Sequence, residues 1–131
     1  MPFQCPRCVI DTNVLSDFYE CGCLPLIWQL FPGGVWIDPY VCEELKVKYQ
    51  LDVQHALAHL QQATCLSADN AVYKTCQERG IKVSRHGGIL EEAVKRNMIS
   101  KTQALRFFQA FLDRGLTMKP SVREALLKKF S

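Results

Sequence analysis

The sequence predicts an α/β protein, a three-layer α/β/α sandwich around a mainly parallel, four-stranded sheet. Three observations lead there. Short apolar runs at 8–11, 35–37, 64–67 and 81–83 alternate with segments of helical periodicity. The first run ends in Asp11 and the third leads into Asp69, and open parallel sheets build their sites beyond the carboxyl ends of the strands. The chain has 131 residues, enough for one domain with one core. It reads as a single domain over 1–131, with C-terminal helices at about 100–130 packed on it.

Each element has a local reason. Cys8 to Asp11 is a buried strand. Asn13 to Glu20 carries Val14, Leu15 and Phe18 at helical spacing, and Cys21-Gly22-Cys23 breaks that helix. Leu24 to Phe31 is a second helix with Leu26, Ile27 and Leu30 inward. Pro32-Gly33-Gly34 turns into the strand Val35-Trp36-Ile37. Asp38-Pro39 starts a helix, since Asp38 can cap and proline suits the first helical position. Its apolar pattern runs from Val41 to Leu60, as one helix over 39–62 or as two broken near Gln50.

Thr64 to Ser67 is the third strand. Asn70 to Arg79 is a helix stopped by Gly80, and Ile81 to Val83 is the fourth strand. His86-Gly87-Gly88 reads as a turn before a helix from Ile89. Ser100 and Gln103 have the spacing of a capping box, ahead of a helix that buries Leu105, Phe108 and Leu112 and ends at Gly115. Ser121 and Glu124 repeat that spacing before a last helix to Phe130.

Composition narrows the function classes. The balance of 48% hydrophobic and 22% charged residues is that of a globular chain. No apolar run spans a bilayer and no leader is visible, so the expectation is a soluble cytoplasmic protein with no membrane partner. Seven cysteines, an odd number, argue for reduced thiols and against a secreted disulfide scaffold. The net charge of +3 suits a polyanionic partner.

Parallel neighbours would set Asp11 and Asp69 on one edge, and Glu44, on the helix after the second strand, can point back toward it. Three converging carboxylates repel one another unless a hard divalent cation, Mg²⁺ or Mn²⁺, sits among them. Such an ion orients water and stabilises charge on a phosphoryl oxygen. Taken singly, an aspartate after a strand is more often a cap or turn residue, and the joint pattern is what points to a site.

Val9-Ile10-Asp11-Thr12-Asn13-Val14-Leu15 closely resembles the opening of PIN domains, nucleases with an α/β/α fold and an acidic metal site. Val41-Cys42-Glu43-Glu44-Leu45 resembles the family's acid-bearing helix, and Leu66-Ser67-Ala68-Asp69-Asn70 its later strand ending in aspartate. Gly80 to Val83 with Gly87-Gly88, and the helices from Glu91 to Gly115, are similar to the remainder. The resemblance implies a metal-dependent endoribonuclease in which Asp11, Glu44 and Asp69 bind Mg²⁺ or Mn²⁺ and are catalytic. Thr12 or Asn13 would support Asp11 by hydrogen bonding. It also implies an RNA substrate and, as in many relatives, a toxin of a toxin–antitoxin pair held by a small antitoxin protein, often as a homodimer.

The chain departs from the family in its middle. Only Lys46 to Leu51 separates Leu45 from Asp52, the candidate fourth acid. On one unbroken helix Asp52 would lie roughly 12 Å from Glu44, outside a shared coordination sphere. That departure motivates the alternative, a catalytically inactive PIN-like module that binds RNA or a protein partner.

Other groups have plainer readings. Lys82, Arg85 and His86 are candidate nucleic-acid contacts, against a reading as solvated surface. Cys5, Cys8, Cys21 and Cys23 could ligate zinc, but Cys8 should be buried. Cys42, Cys65 and Cys76 read as small core residues. His55 and His59 lack the intervening glutamate of a zinc-protease helix and read as surface. Asp17 is a rim carboxylate or helix surface.

Overall fold

The structure is a computed structural model, described here for residues 6–37 and 62–131. The helix expected at 39–62, with Glu44, Asp52, Cys42, His55 and His59, lies outside the described residues except for Gln62, and Cys5 lies outside them too.

Strand β1 (Arg7–Ile10) is followed by α1 (Thr12–Glu20), α2 (Pro25–Leu30) and β2 (Gly34–Ile37). After the undescribed segment come β3 (Ala63–Leu66), α3 (Asn70–Glu78), β4 (Val83–Ser84) and α4 (His86–Lys95). Two further helices, α5 (Lys101–Asp113) and α6 (Pro120–Lys129), complete the chain. The strands form one sheet in the order β2-β1-β3-β4, with every pairing parallel. The α/β class and the four-stranded parallel sheet are as the sequence predicts.

Side chains alternate across the strands, so one strand feeds two cores. Cys8 and Ile10 of β1 join Leu66 of β3 in a large cluster with Val14, Phe18, Ile27, Leu90, Phe108 and Phe111. Val9 and Cys65 face the other way and pack with Val72 and Cys76 of α3 and with Ile81. Cys65 and Cys76 are therefore core residues, as expected. Apolar packing on both faces of the sheet is compatible with a three-layer sandwich.

Local chemistry explains most helix ends. Ser100 and Gln103 form the expected reciprocal capping box: Ser100 Oγ accepts from Gln103 N at 3.1 Å, and Gln103 Oε1 accepts from Ser100 N at 2.9 Å. Gly80 (φ +70°) and Gly115 (φ +108°) adopt the left-handed backbone that closes α3 and α5.

Four expectations shift. The box at Ser121 and Glu124 does not form, because α6 begins two residues earlier with Pro120 in its first turn and Lys119 as N-cap. The buried stripe of α5 is Ala104, Phe108 and Phe111, and Leu105 and Leu112 sit at its margin. β4 forms at Val83–Ser84, later than expected, because its pairing with Cys65 and Leu66 sets its register. His86-Gly87-Gly88 is the first turn of α4, not a separate turn. A Cβ on Gly87 would meet Leu126 Cδ1 at 2.6 Å, so this glycine lets α6 pack against the start of α4.

Candidate functional site

The register places the carboxyl ends of all four strands level. Ile10 pairs with both Ile37 and Leu66, and Leu66 pairs with Ser84. The chain lays β2 on one side of β1 and then crosses to lay β3 on the other. The switch point of the sheet therefore falls between β1 and β3, where loops diverge and leave a crevice. Asp11 and Asp69 both stand at that point.

Each aspartate caps the helix that leaves its strand. Asp11 Oδ1 accepts from Asn13 N at 2.8 Å, and Asp69 Oδ1 accepts from Ala71 N at 2.8 Å and Val72 N at 3.2 Å. The helix N-terminus is the favourable end for a carboxylate, through its orphan N–H groups and its dipole. The support for Asp11 comes from the Asn13 backbone, and the Thr12 and Asn13 residues themselves are exposed.

Ser67 joins the two acids. It is fully buried. Its Oγ donates to Asp11 Oδ2 at 3.2 Å and accepts from Asp69 N at 3.1 Å. Sequence reasoning missed Ser67 as a site residue. The available signal was its position, directly after the third strand and level with Asp11.

A second polar cluster lies beside the first. His86 is 2% exposed, and its Nε2 lies 2.8 Å from Asp17 Oδ2. Arg114 Nε donates to Asp17 Oδ1 at 3.1 Å. The His86 ring is enclosed by Phe18 and Phe111, with centroids at 5.9 Å and 5.1 Å. Burial lowers the imidazole pKa, and the carboxylates of Asp17 and Asp11 pull it back up without overcoming that effect. A neutral ring can donate to Asp17 from Nε2. The buried Nδ1 then has no hydrogen-bond partner among the described residues. Asp17 is thus a half-buried brace between α4 and the end of α5, not a rim carboxylate.

The three candidate nucleic-acid residues separate. Arg85 is exposed, with its guanidinium 4.2 Å from the centre of the Tyr73 ring. The ring of His86 is inside the protein and presents no exposed face. Arg85 and His86 line a cleft of about 440 Å³ at the end of β4. Lys82 is exposed and lines a different cleft, with Phe31, Thr64 and Arg96.

As to metals, Asp11 and Asp69 supply the hard oxygen chemistry that Mg²⁺ or Mn²⁺ takes. A carboxylate has about four lone-pair sites, so one N–H and one hydroxyl leave Asp11 acceptor capacity. Among the described residues no three His, Cys, Asp or Glu side chains group closely enough to hold one ion. Glu44 and Asp52 lie outside those residues. For zinc, burial pushes the Cys8 and Cys23 thiols up to about 12, which opposes the thiolate that a metal needs. No helix among the described residues is long and apolar enough to cross a membrane. Compared with known proteins, the chain matches no family model, no curated protein and no solved structure.

Proposed function

We propose that the protein is a metal-dependent endoribonuclease of the PIN type, with Asp11 and Asp69 as two of its metal-binding acids. The observation that carries this reading is the meeting of Asp11, Ser67 and Asp69 at the switch point of a parallel sheet. In this reading Glu44 supplies the third acid, with Asp52 the candidate fourth. Mg²⁺ or Mn²⁺ held by these acids would supply Lewis-acid stabilisation of phosphoryl oxygens and a water of lowered pKa for phosphodiester hydrolysis.

The chain's own residues do the positioning. The N-termini of α1 and α3 hold the two carboxylates by backbone N–H bonds at the carboxyl edge of the sheet. Ser67 fixes the orientation of Asp11 by donating to Oδ2 while its Oγ receives the Asp69 amide. Arg85, held over Tyr73, offers a cation for the RNA backbone. A toxin role, with a small antitoxin protein and a homodimer, belongs to the same reading.

The test is cleavage of single-stranded RNA with Mn²⁺ by the wild type and by Asp11→Asn. The expected result is metal-dependent cleavage, abolished in the variant and by chelation. Activity that survives Asp11→Asn overturns the mechanism.

One observation favours a second reading, an inactive module that binds RNA or a protein partner. Both acids already serve as helix caps, a sufficient structural reason for aspartate at each position. RNA bound without any cleavage, in the presence of Mn²⁺, would select that reading.

A further inference from the structure

We propose that the cleft between α4 and α6 binds a nucleoside monophosphate unit, with its base against the α6 wall and its phosphate at Arg85. Taking that unit from a single-stranded RNA rests on the ribonuclease reading above. The cleft itself stands on separate observations.

The cleft encloses about 440 Å³, within the roughly 300–1,000 Å³ of sites that bury small organic ligands. One wall is apolar, built from Met118, Val122 and Leu126. A flat, weakly polar base is the part of a nucleotide that such a wall accepts. The hydroxyls of Thr117 and Ser121 line the same space and offer both donors and acceptors to a base edge.

The charge is at the other side. Lys129 lines the cleft but is paired with Glu91 at 2.9 Å. Arg85 is exposed and stacked on Tyr73, and among the described residues no carboxylate pairs with it. A guanidinium held against a ring loses little freedom when it binds a phosphate in bidentate fashion.

The position links this cleft to the acids. Ala68 lines the cleft and immediately precedes Asp69. Ser84, also in the lining, accepts at its carbonyl from Ser67 N at 3.1 Å. A nucleotide seated here therefore sets the next phosphate of its strand beside the Asp11–Ser67–Asp69 edge. The cleft would act as a base-holding subsite that decides which phosphodiester reaches the acids.

The experiment measures binding without metal, in EDTA, so that cleavage plays no part. Nucleoside 5′-monophosphates and a short single-stranded RNA are titrated separately into the wild type, Val122→Trp and Arg85→Ala. Val122 is 47% exposed, so the tryptophan can enter the cleft without disturbing the core, and melting curves check that both variants fold. The expected result is saturable binding that weakens about tenfold or more in each variant, the scale of losing one pocket contact. RNA binding alone, weakened by both variants, assigns the unit to a strand. Binding of the mononucleotide alone assigns it to a free nucleotide. No saturable binding by either ligand, or binding that both variants leave unchanged, overturns the proposal. A wild type that binds in EDTA but never cleaves RNA with Mn²⁺ overturns the ribonuclease reading and leaves the cleft standing.

Discussion

Asp11 and Asp17 lie on or beside the same short helix, yet they have different work. Asp11 caps α1 and accepts only from a backbone N–H and the Ser67 hydroxyl among the described residues. Asp17 stands on the inner side of α1 and receives a histidine ring and a guanidinium from distant parts of the chain. The first carboxylate keeps acceptor capacity for a ligand. The second is committed to holding α4 and α5 against α1. A carboxylate without a cationic partner at a sheet edge points to a ligand, and one braced by a buried imidazole and a guanidinium points to architecture.

The largest effect should come from removing the cage around the brace. Phe111→Ala deletes a fully buried ring packed 4.8 Å from Phe18 and 5.1 Å from His86. A loss of about 3–5 kcal/mol in denaturant unfolding is expected. Asp17→Ala should cost about 2 kcal/mol, because it leaves the buried His86 Nε2 without a partner. A loss near zero would show that Asp17 is surface after all. Asp11→Ala and Asp69→Ala should each cost only about 1 kcal/mol, the loss of one helix cap. If Asp11→Ala proved as damaging as Asp17→Ala, the contrast between the two acids would fail.

A smaller effect concerns pH. Burial holds the His86 pKa below its ordinary value of 6.5. Above that value the ring is neutral whether the chain is folded or not. As pH falls below it the unfolded chain takes up the proton first, so stability declines. Melting temperature should therefore drop from pH 7 toward pH 5, and the part due to this ring should disappear in His86→Phe. A melting temperature with the same pH dependence in both proteins would show that His86 contributes nothing to it.

How far these features were readable depends on how local their causes are. The strand-to-acid steps at Asp11 and Asp69, the stripe of Leu26, Ile27 and Leu30, and the Ser100–Gln103 box follow from spacing within one element. Gly80 and Gly115 mark helix ends for an equally local reason. One difference arises where the partner is distant. His86-Gly87-Gly88 looks like a turn until Leu126, far along the chain, packs on Gly87 and makes a helix start there possible. The Ser121 box differs for a local reason, since Pro120 next to it suits an earlier start.

The candidate site divides the same way. That two acids would share an edge was legible, because parallel strands with short apolar cores must end together. The role of Ser67 was not, since a serine after a strand is unremarkable until β1 lies beside β3 and brings Asp11 within 3.2 Å of its hydroxyl. The positions of Glu44 and Asp52 relative to this edge lie outside the described residues.

The sequence by itself determined the α/β class, most helix limits and the two acids at strand ends, because periodicity and capping act over a few residues. Only the tertiary structure decided that Ser67 links those acids, that His86 turns inward onto Asp17, and that α4 and α6 enclose a cleft beside Arg85. Those outcomes depend on strand order and on contacts between residues far apart in the chain. A burial pattern along one element cannot specify which distant side chain will fill the space it leaves.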